Sequence, residues 1–309
     1  MKRELKIEES ILQKLFRNIL QQGQIPKHIA FVLDGNRRYA REKNMTTIAG
    51  HRKGSDTFDQ IIDCAMLCGV QELTAYVFSI DNFKRTEDEV RGILALLLEK
   101  FKFKLENPDE REGICYRFVG NWSLFPKHMT QVMAKLMMVS RYNTKIVVNI
   151  AFAYTGRHGI TSGVMALLKG LQVGDVDLDS ITETLVEESL HVEPMPSVDM
   201  LIRTGESRLS DFLTWETSDQ AVLCFREQYW PAFSYWKFLA AIFYSQANRF
   251  TILSHAGLIG DFGRVEKVEE NTPKMDRFLQ KKTTVDWNSI EAFASGSLLK
   301  EQFKKHVVQ

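Results

Sequence analysis

The chain has 309 residues, a formal net charge of +1, and a composition that is 44% hydrophobic and 26% charged. A near-neutral chain lacks the positive field that drives nonspecific binding to nucleic acid, so any anion site must be local. No run reaches the ~18 apolar residues of a membrane-spanning helix, and the start, MKRELKIEES, lacks the apolar stretch of a secretory signal. These features predict a cytosol-facing protein with one domain of about 230 to 250 residues plus extensions.

The first predicted element is an amphipathic helix over residues 11–20, ILQKLFRNIL, which Pro26 follows. Its apolar side chains recur at helical spacing and form one stripe. They are Ile11, Leu12, Leu15, Phe16, Ile19 and Leu20. Such a stripe suits a helix that docks on the domain as well as one that lies on a membrane surface, and the sequence leaves both open.

From His28 onward, short apolar runs alternate with helical segments. The runs cover residues 28–33, 73–79, 115–120, 145–154, 199–204 and 221–225. Strands that alternate with helices indicate an α/β fold, here a single domain with a mainly parallel six-stranded sheet covered by helices. The tetrapeptide at residues 86–89, TEDE, predicts a capping box at the start of a helix that extends to residue 106.

The end of the domain is marked by a change in composition. A strongly apolar helix follows Trp230, and beyond Thr251 the chain becomes polar. We therefore predict three parts: residues 1–25 with the N-terminal helix, a domain over residues 26–250, and a polar extension over residues 251–309.

Charged and polar side chains follow three of the predicted strands. Those after the first strand are Asp34, Gly35, Asn36, Arg37 and Arg38; those after the second are Ser79, Asn82 and Arg85; those at the fifth are Arg203, Arg208 and Ser210. Ligands of open parallel sheets bind at the carboxyl ends of the strands, so these residues are expected to converge. Arginine forks match phosphate oxygens, and a lone carboxylate among them suits Mg²⁺, which takes one or two protein carboxylates plus waters and phosphate oxygens.

This pattern makes Asp34 the expected Mg²⁺ ligand. The alternative is that Asp34 and the arginines form surface ion pairs, each of which adds little stability. The repetition of the theme at three strand ends argues against that alternative. His51, in AGHRKG just ahead of a predicted helix, is the only histidine near this site in sequence, and the alternative is that it is a capping or core histidine.

Five segments occur in a specific order: HIAFVLDGNRRYA, AGHRKG, YVFSIDNFKR, IRTGESRLSDFLTW and YWP. They resemble the cis-prenyltransferase (undecaprenyl diphosphate synthase) family, and within it most closely the eukaryotic catalytic subunits that make dehydrodolichyl diphosphate. The resemblance runs from about Pro26 to Phe250, and five motifs in order are far more specific than any one of them. It implies a Mg²⁺-dependent enzyme that adds isopentenyl diphosphate in cis to farnesyl diphosphate.

The resemblance also implies a role for each motif. The expected catalytic residues are Asp34, Asn36, Ser79 and Asn82, with Asp34 as the metal ligand. The expected substrate-binding residues are Gly35, Arg37, Arg38 and His51 at the allylic diphosphate, Arg85 near the homoallylic site, and Arg203, Arg208 and Ser210 at isopentenyl diphosphate. The proton lost in the condensation would leave with help from Asn36 or from a diphosphate oxygen, and the sequence does not decide between them.

A growing polyisoprenoid chain requires an apolar tunnel, which the family resemblance implies for this fold. Six residues of the helices at 51–68 and 86–106 are candidates for its lining: Phe58, Ile62, Ala65, Leu94, Leu97 and Leu98. Ordinary core packing explains the same apolar stripe and is the default for helices that cover a sheet.

The chain departs from the family pattern in three local places. Asp81 stands where the family motif SxENF has glutamate, and RTGESRLS is one residue shorter than the usual RTxGExRxS. The segment between Trp215 and Trp230 is one residue longer than usual and carries no acid where bacterial relatives supply a second metal ligand. The shortened loop puts substrate affinity in doubt, because a clamp misplaced by about 1 Å loses on the order of 100-fold in rate.

A fourth departure concerns assembly. Homodimeric family members carry an Arg-x-Gly motif that reaches into the neighbouring site, and this sequence contains none after Trp230. The resemblance therefore implies a heteromer with a Nogo-B receptor-type subunit, on the cytosolic face of the endoplasmic reticulum membrane. The product would be a long-chain polyprenyl diphosphate for dolichol synthesis and protein glycosylation. The alternative is a weak or inactive accessory subunit, although accessory partners typically lose the Asp-Gly-Asn motif that this chain has.

Overall fold

The computed structural model describes residues 7–190, 197–218 and 220–255 and the single positions 278, 279, 290 and 294. Within this part of the chain, one six-stranded sheet forms the centre. Its strands are β1 (His28–Val32), β2 (Glu72–Ser79), β3 (Ile114–Val119), β4 (Ile146–Tyr154), β5 (Met200–Thr204) and β6 (Val222–Arg226). The strand order is β3-β4-β2-β1-β5-β6, and every neighbouring pair is parallel. The predicted α/β fold is confirmed.

Strand β1 lies at the point where the strand order reverses: β2, β3 and β4 lie on one side of it, and β5 and β6 lie on the other. Val32 at its carboxyl end is in register with Tyr76 of β2 on one side and Arg203 of β5 on the other. Ligands of α/β sheets bind at this kind of switch point. The register thus brings the residues that follow β1, β2 and β5 to one edge, as the sequence predicted.

Helices cover both faces of the sheet. They are α1 (Ile11–Leu20), α2 (Asn36–Glu42), α3 (Thr47–Cys68), α4 (Glu87–Glu106), α5 (Lys127–Ser140), α6 (Gly156–Gln172), α7 (Glu183–Leu190) and α8 (Tyr235–His255). Successive residues of a strand point to opposite faces. Accordingly Ile29 and Phe31 join the large apolar cluster with α3, α4, α5 and α8, whereas Ala30 and Val32 join a smaller cluster on the other face.

Helix α1 has the bounds that the sequence predicted and docks only part of its stripe. Leu20 is buried, and the ring of Phe16 lies 6.1 Å from that of Trp236 on α8. Four other stripe residues are exposed: Ile11, Leu12, Leu15 and Ile19. Docking therefore accounts for one edge of the helix, and within the described part of the chain an apolar face of α1 stays exposed. Among the described helices, none is both long and apolar enough to cross a bilayer.

The predicted capping box at the start of α4 does not form. Thr86 does occupy the N-cap position, but its side chain makes no capping hydrogen bond. Glu89 is instead drawn to Arg85, at 3.0 Å, because a nearby guanidinium is a stronger partner for a carboxylate than a backbone N–H. Helix α8 continues past residue 250 to His255, and the predicted boundary with a polar extension stays a prediction.

Candidate active site

A cavity of about 980 Å³ lies at the carboxyl edge of the sheet and extends between the sheet and helices α3 and α4. This volume is at the upper end of the usual range for small-molecule sites. All twelve predicted site residues line it: Asp34, Gly35, Asn36, Arg37, Arg38, His51, Ser79, Asn82, Arg85, Arg203, Arg208 and Ser210. The structure therefore brings together residues that are up to 176 positions apart in the chain.

Asp34 lies at the start of the loop between β1 and α2, where both of its carboxylate oxygens have partners. Its Oδ1 accepts from the backbone N–H of Gly35 at 2.6 Å and lies 3.1 Å from Arg38, while Oδ2 accepts from Arg203 at 2.9 Å. Gly35 has φ of 102°, and a Cβ there would lie 2.6 Å from the ring of Tyr229. Only glycine fits this turn, which holds the carboxylate at the cavity rim.

Arg203 forms the centre of a clamp on the β5 side. Its guanidinium is buried and donates to the carbonyl of Arg208, to Ser210 Oγ at 2.6 Å, and to the carboxylates of Asp34 and Glu206 at 2.9 and 3.2 Å. Its Nε is buried without a hydrogen-bond partner among the described residues. The group is thus fixed in position and still has a donor to offer to an anion.

Glu206 is a site residue that the sequence reasoning missed. Its carboxylate lies 2.6 Å from Arg208 Nε, 3.2 Å from Arg203 and 3.3 Å from Arg38. The shortened 203–208 loop therefore closes by placing its own acid across three arginines. An acid between two arginines in RTGESRLS was the available signal. A diphosphate entering this clamp must compete with Glu206.

The β2 side of the site is held by a local hydrogen-bond pair. Asn82 N donates to Ser79 Oγ at 3.1 Å, and Ser79 N donates to Asn82 Oδ1 at 3.2 Å, which closes the turn at Ile80–Lys84. Asp81, the residue that departs from the family motif, lies at the exposed rim of the cavity and pairs with Lys84 at 2.6 Å. The shorter acid is therefore accommodated, because its carboxylate is satisfied at the surface.

His51 lies inside helix α3, one turn after its start at Thr47, and not ahead of a helix as expected. Its Nε2 is buried without a hydrogen-bond partner among the described residues. Burial and the charge of Arg85 lower the pKa of His51 to about 4; Glu89 opposes this and Arg37 adds to it. The imidazole is thus neutral at pH 7 and retains one unused nitrogen at the cavity wall.

Asn36, the first residue of α2, is held from one side only. Its Nδ2 donates to the carbonyl of Leu33 at 3.0 Å, and its Oδ1 is buried without a partner in the described chain. Helix α3 passes this amide closely, since a Cβ on Gly54 would lie 2.1 Å from Asn36 Oδ1. Glycine at this position creates the room in which the amide sits.

Arg157 is another cavity residue that the sequence reasoning did not single out. It follows β4 and lies at the start of α6, where its Nε donates to Asp211 at 3.0 Å. Ligands bind at the carboxyl ends of parallel strands, so the argument made for the residues after β1, β2 and β5 applies equally to β4 and would have identified Arg157.

The inner part of the cavity is largely apolar, but its lining differs from the prediction. Of the six candidates, Phe58 and Leu97 line the cavity. Ile62 and Ala65 are instead fully buried core residues, and Leu94 and Leu98 pack against that core. Leu98 points about 100° away from Leu97, its neighbour in the chain, whereas Ile62 and Ala65 lie on the same side of α3 as Phe58 but one and two turns further along the helix. Further apolar lining comes from Ile93, Leu96, Phe101 and Ile150.

Asp34 fits a divalent ion only as part of a shared site. Within the described residues, no group of three or more His, Cys, Asp or Glu side chains is placed to hold a metal. A single carboxylate at the rim of an arginine-lined cavity suits Mg²⁺ that arrives with phosphate oxygens and water. Such an ion must displace the guanidinium that now contacts Asp34, which is about one-third exposed.

Residues 32–251 match the prenyltransferase family model that describes undecaprenyl diphosphate synthase. The chain belongs to this prenyltransferase family. A human relative, the dehydrodolichyl diphosphate synthase complex subunit DHDDS, is 36% identical over 244 residues, which cover 78% of this chain and 73% of the relative. A dehydrodolichyl diphosphate synthase complex subunit of Schizosaccharomyces pombe is 35% identical over 230 residues, covering 74% and 87%.

Solved structures of prenyltransferases have the same fold. The lavandulyl diphosphate synthase of Lavandula x intermedia, solved in complex with dimethylallyl diphosphate, superposes with a TM-score of 0.68 at 26% identity. The match covers 72% of this chain and 95% of the plant enzyme. The family resemblance found in the sequence is thereby confirmed.

Proposed function

We propose that this prenyltransferase condenses isopentenyl diphosphate onto farnesyl diphosphate, with cis double bonds and with Mg²⁺. The observation that carries the proposal is the division of one cavity into an arginine-lined rim and an apolar interior. An allylic diphosphate has the same division, with a charged head and an apolar chain. Membership of the family and the names of the relatives support the reaction class.

In the proposed arrangement, two clusters of hydrogen-bond donors each bind the diphosphate of one substrate. Arg37, Arg38, Gly35, Asn36 and His51 surround the allylic diphosphate, with Asp34 holding the metal on it. The second cluster, at isopentenyl diphosphate, consists of Arg203, Arg208 and Ser210. Ser79, Asn82 and Arg85 lie between β2 and α4, beside the reacting carbons.

The chemistry explains why donors are needed at the allylic head, whereas the donors at isopentenyl diphosphate hold a head whose charge does not change. The allylic C–O bond breaks and leaves its electron pair on the diphosphate, the alkene of isopentenyl diphosphate forms the new C–C bond, and loss of one proton restores an alkene. Negative charge therefore grows on the leaving diphosphate, and fixed arginines stabilise it more in the transition state than before. When bound, Mg²⁺ would add further charge neutralisation at the same oxygens.

The orphaned atoms of the site match a ligand of this kind. Arg203 Nε and His51 Nε2 are buried and lack hydrogen-bond partners in the described residues. Arg203 Nε is a donor, and His51 Nε2 is one in the tautomer that carries its proton there. A buried donor without a partner is unfavourable by about 1–3 kcal/mol, and a hydrogen bond to a phosphate oxygen would remove this penalty.

We further propose that the domain of residues 26–250 works in a complex, as the relatives named complex subunits do. The absence of Arg-x-Gly after Trp230 supports a Nogo-B receptor-type subunit that supplies it. The uncovered face of α1, with Ile11 and Leu15 exposed, supports peripheral contact with a membrane, here the cytosolic face of the endoplasmic reticulum. The product would then be a dehydrodolichyl-length diphosphate for dolichol synthesis and protein glycosylation.

A second candidate function is that of a weak or inactive accessory subunit. The observation that favours it is the short 203–208 loop, in which Glu206 occupies three arginines that the substrate needs. The retained Asp-Gly-Asn sequence at residues 34–36 favours the catalytic function instead.

One experiment separates these functions. Incorporation of radiolabelled isopentenyl diphosphate is measured with farnesyl diphosphate and Mg²⁺, for the chain alone and for the chain co-expressed with a Nogo-B receptor-type subunit, beside Asp34→Ala. We expect incorporation that rises strongly with the partner and is lost in Asp34→Ala. Full activity of the chain alone would refute the heteromer, and no activity in a folded complex would establish the accessory function.

A further inference from the structure

The segment that follows the arginine clamp on the β5 side has an unusual backbone. We refer to residues 208–213 as the strap, because they lead from the clamp to the start of α6. Ser210, Asp211 and Leu213 have φ angles of 53°, 58° and 45°. A left-handed φ is uncommon outside glycine, and for a bulky residue such as leucine it persists only where surrounding contacts enforce it. The conformation of the strap therefore depends on its contacts.

The two clamp residues within the strap have little packing of their own. Ser210 is exposed, and the side chain of Arg208 is 70% exposed. On one side, Ser210 Oγ accepts from the guanidinium of Arg203 at 2.6 Å. An exposed serine is placed by the residues on either side of it, and the next residue in the chain is Asp211.

Asp211 joins the strap to the start of α6 through two backbone N–H groups of the helix. Its carbonyl accepts from the N–H of Gly156 at 2.6 Å, and its Oδ1 accepts from the N–H of Arg157 at 3.1 Å. A Cβ on Gly156 would lie 2.5 Å from Thr214 Oγ1 and 3.2 Å from Asp211 Oδ1. The close approach of strap and helix thus requires glycine at this position.

An aromatic stack supports the strap from β2. The ring of Phe212 is fully buried and lies nearly parallel to that of Tyr76, with centroids 4.5 Å apart. The Tyr76 hydroxyl lies within hydrogen-bonding distance of the carbonyls of Tyr154, at 3.1 Å, and Ser210, at 3.5 Å. Phe212 therefore anchors the strap in the core, while Asp211 fixes the direction in which the residue before it points.

Helix stability alone does not explain the Asp211 carboxylate. Helix α6 already has an N-cap residue, Thr155, whose Oγ1 accepts from the N–H of His158 at 3.3 Å. The ion pair of Asp211 with Arg157, at 3.0 Å, adds little, because the Arg157 side chain is 82% exposed. Asp211 also lines the cavity proposed for the diphosphates, where a free carboxylate would repel them. Its bond to α6 places that charge at the positive end of the helix dipole instead.

We propose that Asp211 is a positioning residue for isopentenyl diphosphate, an inference that rests on the function proposed for the clamp. By tying the strap to α6, Asp211 holds Ser210 in the left-handed conformation in which its hydroxyl meets Arg203. It acts through Ser210 and is not a catalytic residue. Without the tie, the substrate must order the strap as it binds, and that ordering lowers its affinity.

The test removes the carboxylate and keeps the freedom to adopt a left-handed φ. Asp211→Gly tolerates this φ and lacks the acceptor, whereas Asp211→Asn tolerates it and keeps an oxygen for the N–H of Arg157. The matched control, Thr155→Val, removes the N-cap hydroxyl of the same helix and leaves the strap intact. Each protein, in the complex used for the incorporation assay, is assayed with isopentenyl diphosphate and farnesyl diphosphate varied in turn. Binding of isopentenyl diphosphate is also measured at equilibrium, which requires no turnover.

In Asp211→Gly, we expect KM for isopentenyl diphosphate to rise by about tenfold with kcat nearly unchanged, since the loss of one capping interaction changes an equilibrium by about this factor. KM for farnesyl diphosphate should not change. Asp211→Asn should restore the wild-type KM, and Thr155→Val should lower Tm as Asp211→Gly does, with both KM values unchanged. A merely structural role would make Asp211→Gly behave like Thr155→Val.

An unchanged KM for isopentenyl diphosphate in folded Asp211→Gly, or an equal rise in both KM values, would overturn the inference. The binding measurement separates it from the proposed reaction. If no protein turns over, but affinity for isopentenyl diphosphate falls in Asp211→Gly and returns in Asp211→Asn, the elongation activity fails and the positioning role remains. Equal affinities in all four proteins would overturn the positioning role.

A measurement on the wild-type protein covers the case in which Asp211→Gly does not fold. Coupling between two sites is reciprocal, so a ligand that orders the clamp must also stabilise its tie to α6. In hydrogen-exchange mass spectrometry, isopentenyl diphosphate should slow exchange in the peptide that covers Gly156 and Arg157 as well as in the strap. Slower exchange in the strap alone would refute the inference.

Discussion

The titration of His51 provides a direct test of the electrostatics at the diphosphate site. Burial and two nearby arginines, Arg85 and Arg37, lower the pKa of His51 to about 4, against 6.5 in the unfolded chain. The folded protein therefore prefers the neutral imidazole, and the associated stability is present above pH 6.5 and is lost as the pH falls towards 4. A difference of this size corresponds to about 3 kcal/mol in total, of which about 2 to 3 kcal/mol is lost at pH 4.5.

The assay compares denaturant unfolding of wild type and His51→Gln at pH 7.5 and pH 4.5. Wild type should lose about 2 to 3 kcal/mol more than the variant between these pH values, because glutamine does not titrate. The NMR titration of the His51 ring gives the pKa itself, and added diphosphate should raise it, since a nearby anion favours the imidazolium. A pKa near 6.5, or the same pH dependence for both proteins, would refute the reasoning.

Three further outcomes follow from the site geometry. Arg203→Lys should lower kcat/KM for isopentenyl diphosphate by about 30-fold or more. A single ammonium group cannot donate to all the acceptors that the buried guanidinium contacts, and each charged hydrogen bond contributes about 1.5–3 kcal/mol. Gly54→Ala should lower incorporation by about 100-fold, since its methyl group would displace Asn36 by about 1 Å, whereas Gly159→Ala, whose added methyl lies in ordinary contact, should not. Asp34→Asn should lower incorporation by about 100-fold or more if the carboxylate holds the metal as proposed, and it should also lower Tm, because the buried guanidinium of Arg203 loses a charged partner.

The fold could be predicted from local patterns because each strand is a short apolar run bounded by helical segments. All six predicted runs became strands within about one residue of the predicted bounds. The strand order could not be predicted in this way. It depends on which faces of α3, α4 and α6 cover the sheet. The periodicity of apolar residues within a strand does not indicate which other strand lies beside it.

The rim of the site was predictable for a related reason, and its internal contacts were not. Any residue just past a parallel strand lies at the ligand edge, so position in the sequence was enough for Asp34, Ser79 and Arg203. Glu206 could not be assigned from position, because its contacts depend on how the short loop folds back. Likewise the inner end of the cavity depends on the rotation of α3 and α4, which decides that Asp59 and Lys104 point inward while Ile62 points to the core.

The geometry of the cavity explains how a chain with net charge +1 can present a concentrated anion site. The switch point gathers arginines from three distant segments at one edge of the sheet. In the absence of a ligand, the carboxylates of Asp34, Glu89 and Glu206 neutralise part of their positive charge. Binding then requires exchange of carboxylates for phosphate oxygens and not the creation of new charge contacts. We therefore expect affinity to depend on how readily Glu206 leaves, so that this residue, and not the number of arginines, limits substrate entry. Glu206→Gln should speed diphosphate association in stopped-flow fluorescence, and an unchanged association rate would mean that the loop opens before the anion arrives.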